Sequence, residues 1–79
     1  MPVVLRVKGY KFWFYEADLD EPPHVHVGLE GREAKFWLEP IVSLAWNYGL
    51  SAKELNQIQK IIEKRENEIK DNWKKHFSS

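Results

Sequence analysis

The chain has 79 residues, no cysteine, and 12 basic against 12 acidic side chains, for a formal net charge of zero. That length holds one domain, which buries about 63% of the surface its unfolded chain would expose. Without cysteine, no disulfide or thiolate metal site can supplement the core, and cysteine catalysis and zinc-finger readings are excluded. The balanced charge speaks against a protein built to coat nucleic acid, so a nucleic-acid partner is admitted but not favoured.

The core must come from aromatics: 4 Trp, 4 Phe and 3 Tyr make up 14% of the chain, and each buries a large area. Met1–Arg6 has no long apolar stretch, so no signal peptide is expected. No run approaches the ~20 apolar residues of a membrane span. The expected location is the cytoplasm, with no membrane partner.

Gly9, Pro22, Pro23, Gly28, Gly31, Pro40 and Gly49 punctuate the first part, and neither residue type occurs from Ser51 onward. A β-rich part (1–50) followed by a helical part (51–77) is expected within one domain, 1–79. Five segments alternate with period two. Val3, Leu5 and Val7 open the series, then Phe12 and Phe14, then Val25, Val27 and Leu29. Ala34, Phe36 and Leu38 follow, then Val42, Leu44, Trp46 and Tyr48. Glu30-Gly31 fits a tight hairpin turn, as does Lys8-Gly9. By parity, Phe12, Phe14, Phe36, Trp46 and Tyr48 are expected on the face a helix covers.

Ser51 with Glu54 three residues on is a capping box. Leu55, Ile58, Ile62, Ile69, Trp73 and Phe77 then form one stripe about 100° wide, with Glu66 the only charge inside it. The steady stripe predicts one helix of about 27 residues and about 40 Å, with any break near Arg65–Asn67. The expected radius of gyration is only about 11.6 Å. Such a helix bends, or it projects the end carrying Trp73 and Phe77 for a partner to cover. The predicted fold class is α+β. A curved antiparallel meander of four to five strands is packed by one long C-terminal helix, straight or kinked.

The chemistry-bearing stretch runs from Glu16 to Val27. Glu16, Asp18, Asp20 and Glu21 are four of the 12 acids. Pro22 and Pro23 then stiffen an extended path into His24-Val25-His26-Val27. On a strand His24 and His26 share a face, opposite Val25 and Val27, so they are expected to point away from the core. Side by side, they suit acid/base catalysis near neutrality. They also suit a metal site, with Asp18, Asp20, Glu21, Glu33 or His76 as a third ligand. The simpler reading is a pair of strand histidines bonded to neighbouring carboxylates. Trp13, Tyr15 and Trp37 share their parity. With Lys35 they make a stacking platform for bases or a protein-contact patch. No phosphate-cradling glycine loop, nucleophile elbow or HExxH motif is present, and no cofactor is expected.

The aromatic strand Phe12–Tyr15, the motif Glu21-Pro22-Pro23-His24-Val25-His26-Val27, the second hairpin and the closing Asn72-Trp73…Phe77 together resemble the family filed as domain of unknown function 4160. The resemblance covers nearly the whole chain. The compact connection Leu38-Glu39-Pro40-Ile41-Val42 departs from the longer, more polar one common in that pattern. Members are small bacterial and archaeal proteins, often encoded beside another small protein in an arrangement similar to toxin–antitoxin pairs. The resemblance therefore implies an interaction module with a small partner protein, a second copy, or both. Its contact surface is expected at Glu21, Pro22, Pro23, the histidine face, Trp73 and Phe77. The alternatives are a His-dependent ribonuclease-like or metal-dependent hydrolase, and a ligand or nucleic-acid binder using Trp13, Tyr15 and Trp37.

Overall fold

The computed structural model describes residues 3–77, apart from the side chain of Asp18. Five strands, β1 (Val3–Val7), β2 (Tyr10–Trp13), β3 (His24–Leu29), β4 (Arg32–Trp37) and β5 (Ser43–Tyr48), form one antiparallel sheet in the order β1-β2-β3-β4-β5. Two tight turns set the register. Lys8 and Gly9 have φ of 52° and 85°, and Glu30 and Gly31 have φ of 51° and 79°. Consecutive positive φ values mark the hairpin turns whose twist matches that of the strands.

One face of the sheet builds the core. Phe12, Val27 and Ala34 align across three strands, and Val25 pairs with Phe36. All five are fully buried, together with Phe14 and Leu38. The helical part completes this cluster with Ile58, Ile62, Ile69 and Trp73. Burying one such aliphatic side chain stabilises by about 1.5–3 kcal/mol.

The expected single helix is two. α1 covers Ala52–Lys64 and α2 covers Glu66–Phe77. Arg65 lies between them at φ −112° and ψ 23°, outside helical values, although its N–H still donates to the Ile61 carbonyl at 3.0 Å. The physical reason is size. The molecule measures 36 × 23 × 20 Å with a radius of gyration of 11.6 Å. A straight helix of about 40 Å would overrun it. The bend keeps Ile69 and Trp73 on the sheet, so the expected projecting apolar end is absent: Trp73 is buried and Phe77 half-buried. The stripe's one charge, Glu66, sits beside the bend and pairs with Lys70 at 2.6 Å. That bond, chiefly, holds the Lys70 ammonium above its ordinary pKa.

The start of α1 follows its capping box. Ser51 Oγ accepts the Glu54 N–H at 3.1 Å, and Glu54 Oε1 accepts the Ser51 N–H at 2.9 Å. The same carboxylate oxygen accepts Arg32 Nη1 at 2.7 Å, tying α1 to β4.

β5 departs from simple alternation. Lys35 pairs with Trp46 but Phe36 pairs with Leu44, so Ala45 is an extra residue in a bulge. One inserted residue reverses the faces beyond it. Val42 and Leu44 keep the core parity. Trp46 and Tyr48, expected under the helix, turn to the opposite face, where both are exposed.

Candidate functional site

The face opposite α1 carries the row Trp13, His26, Lys35 and Trp46, one residue from each of β2 to β5. His24 pairs with Trp37 one step along. Parity is as expected, and both rings are buried: His24 is 0% and His26 5% exposed. A sheet curled enough to bury both faces of its central strand, the alternative to an open outer face, has this result. Here aromatic rings close over the second. Trp13 stacks on His26 at 6.2 Å between ring centroids, Tyr15 meets it edge-on at 4.5 Å, and Trp46 lies 6.0 Å away. His24 is flanked by Trp37 at 5.5 Å and by Trp73 of α2 at 5.1 Å. The two imidazoles are 5.1 Å apart and nearly perpendicular.

Gly28 allows this closure. A Cβ at Gly28 would stand 2.7 Å from Cη2 of Trp13. The indole lies across the glycine and from there reaches His26.

The polar atoms form two chains. His24 Nδ1 donates to the Pro22 carbonyl at 2.9 Å, which assigns the neutral ring's proton to Nδ1 and its acceptor to Nε2. Glu21 Oε1 stands 3.9 Å from that Nδ1 and also receives Lys35 Nζ. Lys35 is itself buried, with its ammonium 4.4 Å above the Trp37 ring centre. In the second chain, Tyr15 Oη donates to Glu33 Oε2 at 3.2 Å, and His26 Nδ1 lies 3.5 Å from the same oxygen.

Glu16–Asp20 is a short 3₁₀ segment. Pro23 continues the sheet, its carbonyl accepting the Leu38 N–H at 2.9 Å. Glu21 and Pro22 are exposed and Pro23 half-buried. Trp13, Tyr15 and Trp37 are half-buried and engaged with one another and with the histidines, so they do not lie as an open, flat platform. Phe77 lies on Trp73 at 4.3 Å, near Phe14 at 6.1 Å and edge-on to His76 at 4.6 Å. His76 joins that cluster 5.8 Å from Phe14 and 3.7 Å from Glu16. Among the described residues no group of three or more His, Cys, Asp or Glu side chains is placed to hold a metal ion. The Asp18 side chain, one of the expected third ligands, lies outside the described residues. Trp46 against His26 and Trp73 against His24 are contacts that sequence reasoning missed. The bulge that turns Trp46 toward His26 has no sequence signature here.

Residues 9–74 match the family model described as Domain of unknown function (DUF4160). The chain belongs to the DUF4160 family. The matched span contains both histidines, Lys35, Trp46 and Trp73. No curated protein and no solved structure matches this DUF4160 member. Among its described residues no helix is long and apolar enough to cross a membrane.

Proposed function

We propose that this DUF4160 chain is a small protein-interaction module, one member of a toxin–antitoxin-like pair, that takes its partner at the outer edge of β5. The observation that carries the reading is the exposed apolar edge. Leu44, Trp46 and Tyr48 are 43%, 42% and 75% exposed, and Ser43–Tyr48 carries no charge. Edge strands are normally blunted by charges, bulges or a covering element. The opposite edge, β1, has all three: Arg6, an irregular register between Val3 and Leu5, and α2 packed against it. β5 shares the bulge, at Ala45, but carries no charge, and its exposed rings suit contact with an added strand.

The test is co-purification with the product of the neighbouring gene. Wild-type protein is expected to co-elute with it. Leu44→Lys with Tyr48→Lys, two exposed positions that leave the core intact, is expected to abolish the complex. Co-elution unchanged by the double substitution would sink the reading.

A second reading, a His-dependent hydrolase, draws on the Tyr15–Glu33–His26 chain beside His24. A carboxylate that orients an imidazole is a recurring general-base arrangement. Its test is RNA cleavage by the wild type and its loss in His26→Ala. Intact RNA after exposure to the wild-type protein removes the ribonuclease form of this reading.

A further inference from the structure

A groove of about 570 Å³ runs along α1 beside the end of β1. Its floor is Val7 and Ile61, both packed partly against the core. Its rim is Lys8, Lys60, Lys64 and Arg65, and no acidic residue lines it. Gln57 closes one end, its Oε1 accepting the Tyr10 hydroxyl at 3.1 Å. Gln57, Lys60, Ile61 and Lys64 recur at helical i, i+3, i+4, i+7 spacing. They form a second stripe on α1, beside the core stripe of Ile58 and Ile62. Four cations gather here in a chain whose net charge is zero, and of these Arg65 is paired with Glu68.

Cations over an apolar floor select an anionic ligand with an apolar anchor. Which anion follows from the donors. A phosphate is best gripped by a free arginine fork, yet the one arginine present is engaged by Glu68 at 3.1 Å. The remaining three are lysines, flexible point charges whose stems extend the apolar floor. Such a rim suits several carboxylates spread along a chain better than one compact headgroup.

We infer that this groove docks an acidic segment of a partner protein. An apolar side chain of the segment rests on Val7 and Ile61, and its carboxylates meet Lys8, Lys60 and Lys64. β1 and β5 are opposite edges of the sheet, so the groove stands or falls independently of the proposed contact at β5.

The probe is a short acetylated, amidated peptide of alternating Leu and Glu, titrated into the full chain and followed by amide NMR. The Leu/Glu peptide is expected to shift the amides of Val7, Ile61 and Lys64. Its binding is expected to weaken about tenfold or more in Lys60→Glu with Lys64→Glu, and to weaken again as salt rises. Lys60→Gln with Lys64→Gln provides a milder variant with the same direction. A Leu/Lys peptide is expected not to bind, and a Ser/Glu peptide to bind more weakly. Absence of shifts at these amides, or unchanged affinity in both double variants, overturns the inference. So does a Ser/Glu or Leu/Lys peptide that binds as tightly. Tighter binding of decanoate at the same amides would assign the groove to an anionic lipid. Shifts that grow with protein concentration alone would assign it to a second copy. Either result would overturn the inference.

Discussion

The indole of Trp73 and the imidazole of His24 lie 5.1 Å apart, centre to centre. One side chain is on the last helix and the other opens the central strand. Their contact joins α2 to the histidine pair, and Phe14, 5.2 Å from the same indole, extends it into the core.

Trp73→Ala therefore removes a buried anchor shared by helix, core and site. The expected loss is about 3–5 kcal/mol, the range for large aromatic truncations. Urea unfolding followed by far-ultraviolet circular dichroism measures it. Phe77→Ala, at a half-buried position, is expected to cost less. A Trp73→Ala loss below about 1 kcal/mol would show that α2 does not depend on this contact.

Gly28→Ala places a methyl 2.7 Å from the Trp13 ring and 3.2 Å from the Arg32 carbonyl. The backbone there cannot yield cheaply, so the indole must shift off His26. We expect a loss of about 1–3 kcal/mol and a changed tryptophan emission. An unaltered spectrum at full stability would contradict the close packing of Trp13 over Gly28.

Glu30 has φ of 51° ahead of Gly31 at 79°. Asparagine tolerates that left-handed conformation better than glutamate and favours this turn. Glu30→Asn is expected to raise stability by about 0.5–1 kcal/mol. Thermal unfolding of both proteins decides it, and a lower midpoint for the variant would count against the turn assignment.

The Glu54 carboxyl is held below its ordinary value by the Ser51 backbone N–H first and by Arg32 second. Its folded pKa is lower than its unfolded one. The stabilisation it brings is therefore present above the unfolded value and is lost as pH falls through the folded one. Stability against urea is expected to drop over that acidic window in the wild type. Glu54→Gln is expected to be less stable at neutral pH and flatter through the window. Parallel pH profiles of the two proteins would refute the coupling.

Much of the architecture was legible in the residues. Period-two alternation gave five strands, Glu30-Gly31 and Lys8-Gly9 gave the turns, and Ser51…Glu54 marked where the helical part starts. The steady apolar stripe favoured one continuous helix, because Arg65 departs from helical angles without disturbing the 3.6-residue rhythm on either side, yet the place of the break, near Arg65–Asn67, was readable from the charge of Glu66 inside that stripe. The mismatch between about 40 Å of helix and an 11.6 Å radius of gyration called for such a bend. Trp46 and Tyr48 were misplaced for a local reason. Ala45 bulges out of the ladder with Lys35 and Phe36, and no turn residue announces it. The histidines' direction was readable from parity, but their burial was not. It depends on Trp13, Tyr15, Trp46 and Trp73 converging from β2 and the loop after it, β5 and α2.

The neighbour-to-neighbour strand order also bears on the speed of assembly. Each strand hydrogen-bonds the next along the chain, so the sheet grows by closing short loops, with low contact order and little entropy lost per step. The packing of α2 on β1, by contrast, joins the two ends of the molecule. Contacts between parts so distant in sequence are expected to form late, on the native side of the folding barrier. Loosening α2 by Trp73→Ala, which removes its contacts with Phe14 and His24, is expected to hasten unfolding while leaving the folding rate nearly unchanged. The two arms of a stopped-flow chevron separate these effects, and a slowed folding arm would place α2 in the nucleus instead.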